Sequence, residues 1–282
     1  MRIVVLAIGG SDSSGGAGIQ ADLRTVLAHG LHAATTITAI TAQGPRGFRG
    51  WLPVPTELVR AQLEAAFDWP IGAVKTGMLA NAAIVRALAE ALSREAGTSQ
   101  IPLVVDPVLG SSSGAELLDA EGRSSLVAEL FPRATVITPN LPEAAALSGL
   151  ALSASPAEHA AAIARLAPRA VIVVKGGHGD ASASSQMTAR DTARFPDGRI
   201  VHLDAPRIAT DATQGTGCTF ASAIAAQLAR GSDVLEALVS AKAYLTGALS
   251  HAVPLVTRHA GKSGPLAHLW NLTRRDPFAP DG

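Results

Sequence analysis

The chain has 282 residues, 48% of them hydrophobic, with 23 basic and 23 acidic side chains and a formal net charge of zero. That length suits one large α/β domain or two small ones, and the neutral balance excludes a nucleic-acid partner held by bulk charge. A single cysteine excludes an internal disulfide and a cysteine-rich zinc site.

Residues 1–6 are too short and wrongly flanked for a signal peptide. No stretch is long and apolar enough to span a membrane, so a cytoplasmic setting is the default expectation. Residues 3–8 are a continuous apolar run, as in a strand covered on both faces. A polar, glycine-rich loop follows over 9–18. Ile19, Leu23, Val26 and Leu27 then share one helical face, and Gly30 stops the helix. Residues 34–41 are rich in β-branched side chains and read as a strand. Residues 43–55 carry Pro45, Gly47, Gly50 and Pro53 and read as irregular. A helix is expected over 56–67, a strand over 71–75, and a helix capped by Asn81 as far as about residue 95. The strand 103–105 ends on Asp106-Pro107, before a Gly-Ser-Ser-Ser-Gly loop at 110–114.

The second half repeats the alternation. Residues near 120–130 read as helical, and the strand 135–138 ends on Pro139-Asn140. Ser155-Pro156-Ala157-Glu158 is a capping box with proline in the first helical position. The strand 170–174 ends on Lys175-Gly176-Gly177-His178, and Asp197-Gly198 before 200–203 marks a hairpin. Helices over 215–230 and 233–250 close the pattern, and the tail from 252 reads as peripheral. With no linker or composition break, residues 1–282 form one domain with a mostly parallel sheet. In such sheets ligands bind beyond the carboxyl ends of the strands. The polar clusters at 9–12, 75–78, Asp106, Asn140 with Glu143, and Lys175 should therefore converge on one rim.

Each cluster has a plain and a chemical reading. Gly215-Thr216-Gly217-Cys218 should open a helix carrying Phe220, Ile224 and Leu228. Its free N–H groups and positive dipole end make an anion site. Cys218 lies in the first turn, where a thiolate is stabilised, although a free cysteine is as often a small core residue. The first glycine loop lacks the Gly-Lys-Ser/Thr ending of a Walker loop. Gly16-x-Gly18-x-x-Ala21 fits the dinucleotide fingerprint, but 35–43 hold no acid for a ribose, which disfavours a nicotinamide site. Asp106 and Glu143 suit Mg²⁺ as oxygen ligands, or act as capping or solvated carboxylates. Lys175 could reach phosphate as a point charge, or sit on the surface. Met78 packs in the core or lids an aromatic ring. His178 and Gln214 read as polar loop residues. The histidines at 29, 32, 159, 202, 251, 259 and 268 lack metal-ligand spacing and read as structural. Together these are the parts of phosphoryl transfer, where catalysis is largely positioning and charge stabilisation.

The ordered motifs make a specific match. Gly9-Gly10-Ser11-Asp12-Ser13-Ser14-Gly15-Gly16-Ala17-Gly18, Lys75-Thr76-Gly77-Met78-Leu79, Asp106-Pro107-Val108, Thr138-Pro139-Asn140, Lys175-Gly176-Gly177-His178 and Gly215-Thr216-Gly217-Cys218-Thr219 run in this order. Over nearly the whole chain the sequence resembles the hydroxymethylpyrimidine/phosphomethylpyrimidine kinases of thiamine biosynthesis, in the ribokinase-like superfamily. The resemblance implies a single-domain ribokinase-like three-layer α/β/α fold, usually a homodimer, using ATP and Mg²⁺. It implies phosphorylation of a pyrimidine alcohol, then of its monophosphate. It places pyrimidine contacts on Gly10, Asp22, Gln43 and Met78, and an anion hole on Gly215, Thr216, Gly217 and Cys218. Cys218 stands where related sugar kinases carry an aspartate base. Asp106 and Glu143 fall in the metal region, and Lys175 and Asn140 on ATP. Two departures stand out: Gln214 replaces a common histidine, and the loop 109–114 lacks the family's usual lysine. The rivals are a pyridoxal kinase, a monofunctional pyrimidine kinase and a nucleotide-binding regulator without turnover.

Overall fold

The run at residues 4–8 is almost wholly buried because helices cover both of its faces. It opens the first strand of a sheet seen in a computed structural model that describes residues 3–95, 101–111, 114–176, 187–256 and 262–272. The strands are β1 (Val4–Asp12), β2 (His32–Gly44), β3 (Gly47–Pro53), β4 (Ile71–Thr76), β5 (Leu103–Val105), β6 (Val136–Ile137), β7 (Val171–Val174), β8 (Thr188–Arg194) and β9 (Ile200–Pro206). Their order across the sheet is β3-β2-β1-β4-β5-β6-β7-β8-β9. The stretch from β2 to β7 is parallel, and β3, β8 and β9 pair antiparallel at the two edges.

Side chains alternate across the sheet as strand geometry requires. Leu6 and Ile8 enter one core and Val5 the other. The helices are α1 (Gly18–Ala28), α2 (Thr56–Phe67), α3 (Ala82–Glu95), α4 (Ala120–Ser125), α5 (Leu141–Ser148), α6 (Pro156–Ala164), α7 (Thr216–Ala229) and α8 (Val234–Ser250). The sheet faces separate α2 and α3 from α7 and α8, which is the expected three-layer arrangement. α7 is alanine-rich and buried on nearly every side, so it is the central helix of its layer. Among the described residues no helix is long and apolar enough to cross a membrane.

Several expectations need correction. Residues 43–55 are not irregular throughout: 47–53 form β3, an edge strand where Gly47, Gly50 and Pro53 are tolerated. β1 runs on to Asp12, with a register shift at Gly9/Gly10 against β2, so the polar loop starts later than expected. α5 was not anticipated, although Asn140-x-x-Glu143 is a capping box that starts it. Among the described tail residues, two side chains reach the core. Leu266 and His268 are buried, and the Tyr244 hydroxyl donates to the His268 carbonyl at 2.5 Å.

Candidate active site

The carboxyl ends of β1, β4, β5, β6 and β7 all open toward the start of α7. A Cβ placed on Gly217 would lie 3.2 Å from Lys175 Nζ and 3.5 Å from Asp106 Oδ2. The first turn of α7 therefore faces a cation and a carboxylate from two different strand ends, as the sequence motifs require.

Two glycine turns interlock to build this mouth. Gly215 has φ 85°, and a Cβ there would stand 2.1 Å from the Gly16 carbonyl oxygen. Only glycine meets both the left-handed backbone and the close approach. The other turn is tied down by Asp12, whose carboxylate accepts from the N–H groups of Ser14, Gly16 and Ala17. Gln214 is more than a loop residue. Its Nε2 donates to Asp12 Oδ2 at 3.2 Å and Ser14 Oγ at 2.5 Å, bridging segments 200 residues apart in sequence.

Lys175 Nζ donates to Asp106 Oδ1 at 2.8 Å, and the Thr138 hydroxyl donates to the same oxygen at 3.0 Å. Burial works against the lysine's charge, but Asp106 and Glu143 outweigh it and hold its pKa above the ordinary value. Asn140 and Glu143 form the capping box of α5: the Asn140 side chain accepts from the Glu143 N–H, and Glu143 Oε2 accepts from the Asn140 N–H. So the capping reading holds for Glu143, at the same time as its place beside Lys175, and Asn140 is the cap residue itself. Burial, with Asp106 nearby, pushes the Glu143 carboxyl up to about 7. Among the described residues no three His, Cys, Asp or Glu side chains cluster as a self-sufficient metal site.

Gly10 and Met78 meet at the next position along the rim, where a Cβ on Gly10 would lie 3.0 Å from Met78 Sδ. Met78 is buried, and its carbonyl accepts from the Thr38 hydroxyl at 2.5 Å. Gln43 lies further along β2 than Ala39, the partner of Gly10, and its backbone exchanges hydrogen bonds with the Ser13 hydroxyl at 2.9 and 2.7 Å. Asp22, expected at the pyrimidine, is fully buried. Both of its oxygens accept from Lys75 Nζ, at 2.8 and 2.9 Å, and Oδ1 also accepts from the Ser222 hydroxyl at 2.7 Å. Its first partner is Lys75, which the sequence places in the rim cluster 75–78 without a role of its own. The signal was present: a lysine inside an apolar strand needs a buried counter-ion, and α1 carries one acidic residue. His178 lies outside the described residues.

Cys218 also differs from expectation. Cys218 is half-buried, and desolvation in the mouth pushes its thiol up to about 11; Lys75 pulls it down, while Asp22 and Asp106 push it up. At neutral pH the resting group is a thiol, not the thiolate that its helix position alone predicts. Here desolvation and two nearby carboxylates outweigh a helix end and a lysine.

A parallel sheet whose strand ends deliver a lysine, two carboxylates and an N–H-rich glycine turn to one mouth defines an α/β protein built to handle phosphate. The family model described as phosphomethylpyrimidine kinase matches residues 12–263. A hydroxymethylpyrimidine/phosphomethylpyrimidine kinase of Streptomyces coelicolor is 46% identical over 274 residues, covering 95% of each chain. A pyridoxal kinase of Bacillus subtilis, solved as an ADP complex, superposes with a TM-score of 0.82 at 34% identity, covering 95% of this chain and 98% of that one. A phosphomethylpyrimidine kinase from Clostridium difficile gives 0.71 at 36% identity, covering 87% and 98%. The chain belongs to the phosphomethylpyrimidine kinase family, and its fold is ribokinase-like.

Proposed function

We propose that the protein is an ATP-dependent kinase that phosphorylates 4-amino-5-hydroxymethyl-2-methylpyrimidine and then its monophosphate, giving the pyrophosphate used in thiamine diphosphate biosynthesis. The observation that carries this reading is the glycine turn at the head of α7 facing Lys175 and Asp106. The backbone N–H groups of residues 215–218 would stabilise the equatorial phosphoryl oxygens as charge builds. Lys175 would donate to the nucleotide phosphates. The donor set also fits Mg²⁺: a pair of carboxylates, Asp106 and Glu143, is what that ion takes when phosphates and water complete its shell. The ion would neutralise charge on the transferring group. Gly10, Gln43 and Met78 would line the pyrimidine side, with Asp22 acting from beneath through Lys75, and Asn140 would border the nucleotide while capping α5.

Cys218 would accept the hydroxyl proton in the first reaction. A thiol near 11 is rarely ionised at pH 7, but its thiolate is a stronger base than an ordinary one. The second reaction starts from a phosphate anion and needs no base. The loop after Asp106 lacks the family's usual lysine, so more of the second phosphate's charge would fall to Lys175 and the glycine turn.

The B. subtilis pyridoxal kinase superposes at a higher TM-score than the C. difficile enzyme, so pyridoxal belongs in the same assay. MgATP is supplied with hydroxymethylpyrimidine, its monophosphate, or pyridoxal, and products are identified by mass. Pyrophosphate from the second acceptor supports the bifunctional reading. Turnover of free alcohols alone reduces it to a monofunctional pyrimidine or pyridoxal kinase. Absence of ADP with all three acceptors overturns it. A cytoplasmic homodimer is part of the same reading. Ile40 and Leu52, paired across the β2–β3 edge, are 62% and 74% exposed, and light scattering of the purified chain tests the dimer.

A further inference from the structure

Beneath the mouth lies an ionic cluster with no open surface. Lys75 is 1% exposed and Asp22 is 0% exposed. Lys75 Nζ reaches both Asp22 oxygens at 2.8 and 2.9 Å. A Cβ on Gly77 would lie only 3.0 Å from Lys75 Nζ, so the ammonium is pressed against the backbone just past the end of β4. The third member, Ser222, donates to Asp22 Oδ1 at 2.7 Å. Ser222 follows Cys218 by four residues on α7, so the two share one helix face. Burying an ion pair is seldom worth its desolvation for stability alone, and a hydrophobic set of equal volume would often do better. A buried pair tied through Ser222 to the helix face that carries Cys218 calls for another use.

We propose that the Lys75–Asp22–Ser222 cluster is the positioning apparatus of Cys218: Lys75 supplies the positive charge that admits an anion at the first turn of α7, and Asp22 and Ser222 fix that charge one helical turn below the cysteine. The charges that act on Cys218 come from Lys75 of β4, Asp22 of α1, Asp106 after β5 and Lys175 after β7. Lys75 and Asp22 act on the thiol in opposite senses, Lys75 the more strongly. Burial opposes the Lys75 charge, but Asp22, Cys218 and Asp106 hold its pKa above the ordinary lysine value, so it stays charged throughout the working range. The inference rests on the reading of the α7 turn as the reacting site, but its main test does not require turnover.

Cys218 is the only cysteine, so alkylation by iodoacetamide reports this position alone. The rate follows the thiolate fraction, partly offset by the greater nucleophilicity of a more basic thiolate. In the full-length protein at pH 8.5, Lys75→Met should slow alkylation by about three- to tenfold, corresponding to a rise of roughly one to two pH units in the midpoint. Asp22→Asn should speed it, and Lys75→Arg should restore a rate near wild type. Loosened packing would expose the cysteine and speed both neutralised variants, so opposite signs separate charge from structure. If Lys75→Met does not fold, Lys75→Met combined with Asp22→Asn is compared with Asp22→Asn alone, and removal of the lysine should again slow the reaction. Equal rates, or changes of the same sign in Lys75→Met and Asp22→Asn, overturn the proposal. Opposite signs in a protein that turns over none of the three acceptors would uphold the cluster and refute the kinase reading.

Discussion

His268 ties acid stability to the tail. It is 2% exposed, and its Nε2 lies 3.0 Å from the hydroxyl of Thr219, the residue after Cys218. Burial, helped by the charge of Arg24, lowers its pKa from 6.5 to about 4. The folded chain therefore refuses a proton that the unfolded chain accepts between those values. That contribution is complete above pH 6.5 and is lost as pH falls toward 4. At about 1.4 kcal/mol per pH unit, the wild type should lose roughly 2–3 kcal/mol between pH 7.5 and 4.5 through this one ring. In His268→Gln, an amide can still reach Thr219 but nothing titrates. Urea unfolding of both proteins at several pH values supplies the assay. His29, also lowered by burial, is present in both and cancels in the comparison. The two stability curves should converge as the solution is acidified. Parallel curves would refute the reasoning and mean that the ring is hydrated or that the tail detaches before it titrates.

Three further outcomes are expected. Gly215→Ala combines a left-handed φ of 85° with a Cβ 2.1 Å from a carbonyl oxygen. The strain of about 1–2 kcal/mol should lower Tm by roughly 2–8 °C, and the displaced turn should reduce kcat/KM by about 10²-fold or more for both acceptors; wild-type kinetics would remove this turn from the site. Cys218→Ala should slow phosphorylation of the free alcohol by about 10²–10⁴-fold and spare the monophosphate step more. In the wild type the alcohol step should accelerate from pH 7 toward 9 as the raised thiol begins to ionise, and equal damage to both steps would make Cys218 part of the anion hole only. Ser155→Ala removes the side chain that accepts from the Glu158 N–H at 3.2 Å; stability should fall by about 1 kcal/mol with unchanged kinetics, and a change in kcat would reveal coupling between α6 and the mouth.

Much of the fold was readable because it is local. The apolar run before Gly9, the box at Ser155 and the Asp233 cap of α8 each declare themselves within a few residues. β3 was hidden because glycine and proline discourage interior strands but not edge strands. α5 was hidden because a capping reading of Glu143 alone marks no helix start; the box needs Asn140 three residues earlier as its other half. The rim of the site was legible as motifs at strand ends. Its electrostatics were not, since the ionisation of Cys218 depends on Lys75, Asp22 and Asp106, which lie far apart in sequence. The same holds for Gln214, whose partners Asp12 and Ser14 come from the opposite end of the chain.

The interlock of Gly16 with Gly215 also has a temporal side. The first glycine turn leaves the ribosome early, and its counterpart follows about 200 residues later, a delay of roughly 10–40 s at ordinary rates of synthesis. Throughout that interval Val5, Ala73, Val104 and Val136 lack Phe220 and Ile224, the α7 side chains that complete their core. One sheet face is thus an exposed apolar surface until synthesis is nearly complete. The enzyme's most vulnerable period should be its own translation, and a message truncated before the codons of α7 would yield a chain prone to aggregate rather than a weak kinase.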